Sequence, residues 1–237
     1  MPPRHRAVLA VPANNTTMER EMNALCPELA PVAVARVRLP GETMRVEDLP
    51  AYSQRALDAV APFLSPRPEL VVHGCTAAGF LGGPEGTAQV TQALRERSGA
   101  AVVSTASAMV DALRRDRVEE TAVVTPYLDA VNRGLRAYLG SAGIAVEILN
   151  SFECATTDDL GRVTEEQVFD LALKTVTPRS RALFIACSQL PTLDIIDRLR
   201  ARLGIPVWSS IRATAWAASA ALAPAVGAAR APSSRGT

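Results

Sequence analysis

Three short segments of this chain occur twice, in the same order and at similar spacing. Arg6-Ala7-Val8-Leu9-Ala10-Val11-Pro12 resembles Glu120-Thr121-Ala122-Val123-Val124-Thr125-Pro126. Glu69 to Thr76 (ELVVHGCT) resembles Arg181 to Ser188 (RALFIACS), and Gly99 to Ser104 resembles Gly204 to Ser209. One such pair is easily chance; an ordered set of three is the mark of an internal repeat. Each repeated segment is a short apolar run without strict alternation, which suits a parallel strand covered on both faces. The runs are Ala7–Val11, Val32–Val37, Leu70–Val72, Ala101–Val103, Ala122–Val124, Ala145–Leu149, Leu183–Ile185 and Pro206–Trp208. Helix-like stretches lie between them: Thr17–Leu25, Tyr52–Phe63, Gly86–Arg97, Ala106–Arg114, Tyr127–Ser141, Thr164–Thr175 and Leu193–Leu203. Strands alternating with helices imply an α/β fold. The expectation is two similar parallel-sheet α/β halves related by a pseudo-twofold axis, with the active site in the cleft between them. Residues 1–115 plus 210–237 form the first half with a C-terminal helix, and residues 116–209 the second; the boundary falls near Arg114 to Glu119.

Composition removes several kinds of chemistry. The chain has 237 residues and a formal net charge of +1, so nucleic acid, which wants a basic surface, is not the expected partner. Lys174 is the only lysine, and it sits on a predicted amphipathic helix, which argues against a pyridoxal-phosphate mechanism. His5 and His73 are the only histidines, and no two of the four cysteines form a C-x-x-C pair, so no metal site is expected. There is no convincing export signal; the run Ala7–Val11 is short and ends at Pro12. Ala213–Ala229 is alanine-rich, cut by Pro224, and reads as an amphipathic or buried helix, not a membrane span. A cytoplasmic protein with free thiols and no membrane partner is the expectation. A homo-oligomer is allowed by the sequence. The tail Ala225–Thr237 is expected to be loosely ordered.

The repeat places a cysteine followed by a hydroxyl residue at the end of a strand in each half: Cys75-Thr76 and Cys187-Ser188. Ligands of open parallel sheets sit at the carboxyl ends of strands. Halves facing one another would bring the two thiols to opposite sides of one cleft. The residues after each cysteine, Thr76 and Ala77 in one half and Ser188 and Gln189 in the other, would offer backbone N–H groups to a carboxylate or oxyanion. Such a pair suits proton transfer or nucleophilic attack at a carbon beside a carboxylate, with no cofactor. One cysteine after a strand is ordinarily a buried small hydrophobe; its repetition favours chemistry. Cys26 and Cys154 lack this context and read as structural. His73 either tunes the Cys75 thiolate, whose face it shares, or is a hydrogen-bonded core histidine. Tyr127, at a strand end, either donates to substrate or packs in a loop. Gly79-Phe80-Leu81-Gly82-Gly83-Pro84-Glu85-Gly86 reads as a flexible connection into a helix.

These residues resemble the aspartate/glutamate racemase superfamily, nearest the branch of maleate cis–trans isomerase and arylmalonate decarboxylase. Pro12 to Glu19 (PANNTTME) is similar to the isomerases' N-terminal signature, Thr125 to Asn132 (TPYLDAVN) to the segment after the first strand of the second half, and Ala186 to Asp194 (ACSQLPTLD) to the second cysteine loop. The resemblance spans about Ala7 to Trp216. It implies that Cys75 is the nucleophile that adds to a double bond, that Cys187 handles the proton, that Asn15 and Tyr127 hold substrate carboxylates, and that Pro12 belongs to the substrate site. Its decarboxylases keep only the second cysteine. The implied activity is a cofactor-independent isomerase or racemase of a small carboxylate. The alternatives are an arylmalonate-type decarboxylase with Cys187 as proton donor, an ectoine-utilisation-type relative, or a non-catalytic ligand-binding homologue. Two regions depart from the pattern: Asp158-Asp159 stands where an amide is usual, and Ile211-Arg212 replaces an Asn-Gln pair. Both changes weigh against a plain dicarboxylate such as maleate.

Overall fold

The computed structural model describes residues 5–39, 41 and 44–223. The first half runs β1 (Ala7–Pro12), α1 (Thr17–Leu25), β2 (Val32–Val37), α2 (Leu49–Val60), β3 (Leu70–His73), α3 (Thr76–Ser98), β4 (Ala101–Ser104) and α4 (Thr105–Arg115). The second runs β5 (Glu120–Thr125), α5 (Asp129–Ser141), β6 (Ala145–Ser151), α6 (Thr157–Gly161), α7 (Glu165–Thr175), β7 (Leu183–Ile185), α8 (Ile196–Leu203) and β8 (Val207–Ser209), followed by α9 (Ser210–Leu222). Every strand predicted from the apolar runs is present. The two sheets are wholly parallel, ordered β2-β1-β3-β4 and β6-β5-β7-β8, the same topology written twice.

The strands lack strict polar alternation because both faces are buried. In β1, Val8 and Ala10 join α2 and α3 on one face, while Ala7, Leu9 and Val11 join α1 and α9 on the other. In β5, Val123 faces the apolar seam between the halves, and Ala122 and Val124 face α7 and α8. That seam is filled by Phe80, Met109, Leu113, Leu135, Phe184 and Trp208. Large fully buried side chains of this kind stabilise by about 1.5–3 kcal/mol each.

One expectation needs correction, and two features are new. The glycine-rich stretch after Cys75 is not a flexible connection. Helix α3 starts at Thr76, continues through Gly82, breaks at Gly83 (φ 65°) and resumes through Pro84. Gly79 is there for close packing: a Cβ on it would lie 2.4 Å from the Ala106 Cβ. Helix α6 was not anticipated; it is one short turn held by a capping box between Thr156 and Asp159. The C-terminal helix begins at Ser210, before the alanine run, because Ser209 caps it by accepting from the Arg212 N–H. The tail from Ala225 lies outside the described residues. Among those residues no helix is long and apolar enough to cross a membrane.

Candidate active site

In a sheet ordered 2-1-3-4 the connections leave β1 and β3 in opposite directions, so a crevice opens where their carboxyl ends meet. Both halves have this order, and each contributes two strand ends. Pro12–Asn15 follow β1 and Gly74–Ala77 follow β3; Pro126–Tyr127 follow β5 and Ala186–Gln189 follow β7. The four segments converge on one cavity of about 420 Å³. Its walls include Cys75 and Cys187, with Pro12, Asn15, Thr76, Ala77, Tyr127, Ser188 and Gln189. The two cysteines are each 5% exposed.

Each thiol sits in a ring of backbone donors. Cys75 is the N-cap of α3, and the N–H groups of Ala77 and Ala78 point at its sulfur. The Gln189 N–H lies 3.3 Å from the Cys187 sulfur. A helix start offers unpaired N–H groups and the positive end of its dipole, which suits a thiolate or carboxylate. Two side-chain oxygens on the walls, Thr76 Oγ1 and Gln189 Oε1, are buried and have no hydrogen bond of ordinary geometry, the Tyr127 hydroxyl standing near Thr76. Unpaired buried polar atoms are rare in folded proteins, and at a cavity they are what a ligand pairs with.

The strand ends are tied across the cleft. Asn15 Nδ2 donates to the Ser188 carbonyl at 3.1 Å and to its Oγ at 3.0 Å, while Asn15 Oδ1 accepts from the Met18 N–H at 3.0 Å. Ser188 Oγ in turn donates to the Gly74 carbonyl at 2.8 Å. The Asn15 amide is therefore engaged within the protein, fixing both cysteine loops from its place on the wall. No side chain fits at position 74: a Cβ there would lie 2.6 Å from Met18 Sδ and 2.7 Å from Val11 Cγ1. Tyr127 is held by its backbone: its carbonyl accepts from Asn132 Nδ2 and Ser151 Oγ, and its N–H donates to Thr125 Oγ1.

Comparison with known proteins decides the family. A sequence model described as arylmalonate decarboxylase matches residues 33–233. The chain belongs to the arylmalonate decarboxylase family. It is 31% identical to maleate isomerase of Nocardia farcinica over 89% of this chain and 87% of that one, and 31% identical to arylmalonate decarboxylase of Bordetella bronchiseptica over 60% of each. The structure of the Nocardia farcinica maleate cis-trans isomerase bound to TRIS superposes with a TM-score of 0.83 at 30% identity, covering 92% of both chains. A cysteine-to-serine variant of that isomerase, holding a covalently bound succinylcysteine intermediate, superposes with a TM-score of 0.84 at 29% identity over the same shares.

Within this family fold, burial governs the electrostatics. It pushes the Cys75 thiol up, partly offset by the Tyr52 hydroxyl and the α3 N–H groups. It pushes Cys187 up to about 11, offset in part by Tyr127 and the Gln189 and Leu190 N–H groups. Burial, together with the nearby Cys187, holds the Tyr127 hydroxyl well above its usual range, so it stays a donor. His73 is not a wall of the cavity. Burial lowers it to about 4, and its Nε2 has no partner, so it is a neutral residue at the end of β3, beside Tyr52, and carries no charge to tune Cys75.

Four residues escaped the sequence reading. Tyr52 on α2 is 1% exposed, and its hydroxyl stands near Cys75 without a hydrogen bond of ordinary geometry. A hydrogen bond to a charged group contributes about 1.5–3 kcal/mol. Tyr52→Phe is expected to lower kcat/KM by about tenfold or more and to move its ascending pH limb upward by about one unit. An unchanged pH profile in steady-state rates would remove Tyr52 from the site. Glu21 is wholly buried; its carboxylate accepts from the Thr192 N–H at 2.7 Å and Thr192 Oγ1 at 3.0 Å, anchoring the far end of the Cys187 loop to α1. Thr192 also meets Ser209 Oγ at 3.0 Å. Cys154, read as structural, lines the cavity mouth. Arg45 lines it too, paired with Glu47 at 3.4 Å. The departures seen in the sequence do not reach the cavity. Asp159 caps α6, Ile211 is buried between β1 and α1, and Arg212 points to another groove. They give no structural reason against a plain dicarboxylate.

Proposed function

We propose that this chain is a cofactor-independent cis–trans isomerase of a small unsaturated dicarboxylate of the maleate type, with Cys75 as nucleophile and Cys187 as proton donor and acceptor. The observation that carries the reading is the pair of buried thiols on one cavity, one from each half, in a chain whose structural neighbour holds a succinylcysteine. The Cys75 thiolate forms a bond to one alkene carbon. The π pair moves toward the neighbouring carboxylate, where backbone N–H groups and Tyr127 meet the developing charge. The former double bond is now single and rotates. Return of the electron pair reforms the double bond in the trans geometry and expels the thiolate, so atoms and charge balance over the cycle. Cys187, a thiol at neutral pH, can lend a proton to the carbanionic carbon and retrieve it. All four cysteines are free, and two working thiols suit the reducing cytoplasm.

The family description also supports a second reading, decarboxylation of a malonate-type acid, for which Cys187 alone would suffice. Proton NMR of the purified protein in deuterated water separates the two. The maleate vinyl signal is expected to be replaced by that of fumarate. Inert maleate combined with conversion of an arylmalonate to its deuterated arylacetate would establish the decarboxylase instead.

A further inference from the structure

A second groove, of about 760 Å³, opens at the other end of the molecule. It is bounded by the end of α4, the start of β8 at Pro206, and the outer face of α9. The cysteines follow the carboxyl ends of β3 and β7; this groove lies toward the amino ends, so the two sites share no residue. Three guanidiniums converge on it, from Arg115, Arg200 and Arg212. Two carboxylates answer them. Asp197 is shared by Arg212 at 3.0 Å and Arg200 at 3.4 Å, while Asp116 accepts from Trp208 Nε1 at 2.7 Å. Arg115 has no ion pair or hydrogen bond among the described residues and lies 5.3 Å from the Trp216 ring centroid. Arg200 lies 5.4 Å from the Trp208 centroid. Burial and then the neighbouring Arg212 disfavour the protonated form of Arg200, partly offset by Asp197 and Asp116. Guanidiniums gathered on an aromatic floor with too few carboxylates are an arrangement an anion relieves, because arginine binds carboxylate and phosphate through paired N–H groups.

We propose that this groove is a second ligand site, taking a compact dianion that carries phosphate or paired carboxylates on Arg115 and Arg212, beside Arg200, whose guanidinium is held by the Val207 carbonyl and Asp197. The protein supplies its own reporter, since its two tryptophans, Trp208 and Trp216, both line the groove and neither lines the catalytic cavity. The test is intrinsic fluorescence of the full chain, titrated separately with inorganic phosphate and with succinate at constant ionic strength, with chloride as reference. The expected result is a saturable change for at least one anion, with a dissociation constant of about 1 mM or tighter. The responding anion tells the phosphate source from the carboxylate source. Arg115→Gln, an exposed position whose replacement leaves packing intact, is expected to weaken the response about tenfold, and Arg212→Gln to do the same. A response no different from chloride would overturn the proposal. So would a saturable response that both variants leave unchanged, because the anion would then be bound elsewhere.

Discussion

Cys75→Ala is expected to reduce cis–trans turnover to background, and Cys187→Ala to lower kcat by about 10²–10⁴-fold. The asymmetry follows from the roles. Without Cys75 no sulfur is placed at the N-terminus of α3, where the N–H groups of Ala77 and Ala78 converge. The Cys187 loop cannot substitute, because Asn15 and Glu21 hold it at both ends. Without Cys187 the thiolate can still add, but the proton has to come from water or from Tyr127. Cys187→Ser incubated with maleate is therefore expected to trap substrate on Cys75, seen in intact-mass spectra as a gain of one substrate per chain. Full turnover in Cys75→Ala would end the nucleophile assignment. Turnover lost only in Cys187→Ala, with Cys75→Ala active, is the pattern of the decarboxylase reading. Circular dichroism of each variant guards against loss of fold, since the thiols lie at cavity walls and their truncation removes little packing.

Why the cysteines were legible in the chain and Tyr52 was not is a matter of range. A residue just past a strand in a doubly repeated pattern advertises its place, because topology alone carries every strand end to the crevice. Cys75, Cys187, Asn15 and Tyr127 all have such addresses. Tyr52 and Glu21 reach the site from inside helices, through contacts made only when distant elements pack. Glu21 meets Thr192 across the cleft, and Tyr52 approaches Cys75 from α2. A local pattern shows Glu21 only as an acid on the buried side of α1. Gly79 misled for a related reason. A glycine needed for contact with Ala106 looks, in sequence, like a glycine needed for flexibility. The departures Asp159 and Ile211 misled in the opposite direction: differing from the family pattern, they weighed against a plain dicarboxylate, whereas capping and core packing account for them.

The pH dependence of kcat/KM is expected to be steep and displaced to alkaline values. This quantity reports the ionisations of free enzyme and free substrate. Burial raises both thiols, so the resting site holds two neutral S–H groups. Catalysis by addition needs Cys75 deprotonated. Raising the pH creates that form, and below its pKa the rate constant should climb about tenfold per pH unit. Cys187 must keep its proton, and the rate should fall as it ionises at about pH 11. No limb is expected between about pH 5 and 8 from an imidazole, since the only histidine near Cys75, His73, is neutral down to about pH 4. The folded state also loses stability over the alkaline range. Groups with raised pKa values hold their protons when folded and release them first when unfolded, so rising pH favours the unfolded chain. Melting temperatures measured alongside the rates separate that loss from the descending limb. The ascending limb is the discriminating feature. Proton donation by Cys187 alone requires no thiolate, and its profile would be flat until the thiol ionises. A flat profile through pH 9 with the protein folded, combined with inactivity of Cys75→Ala, would show that Cys75 does not ionise in that range and that burial is not what sets its resting form.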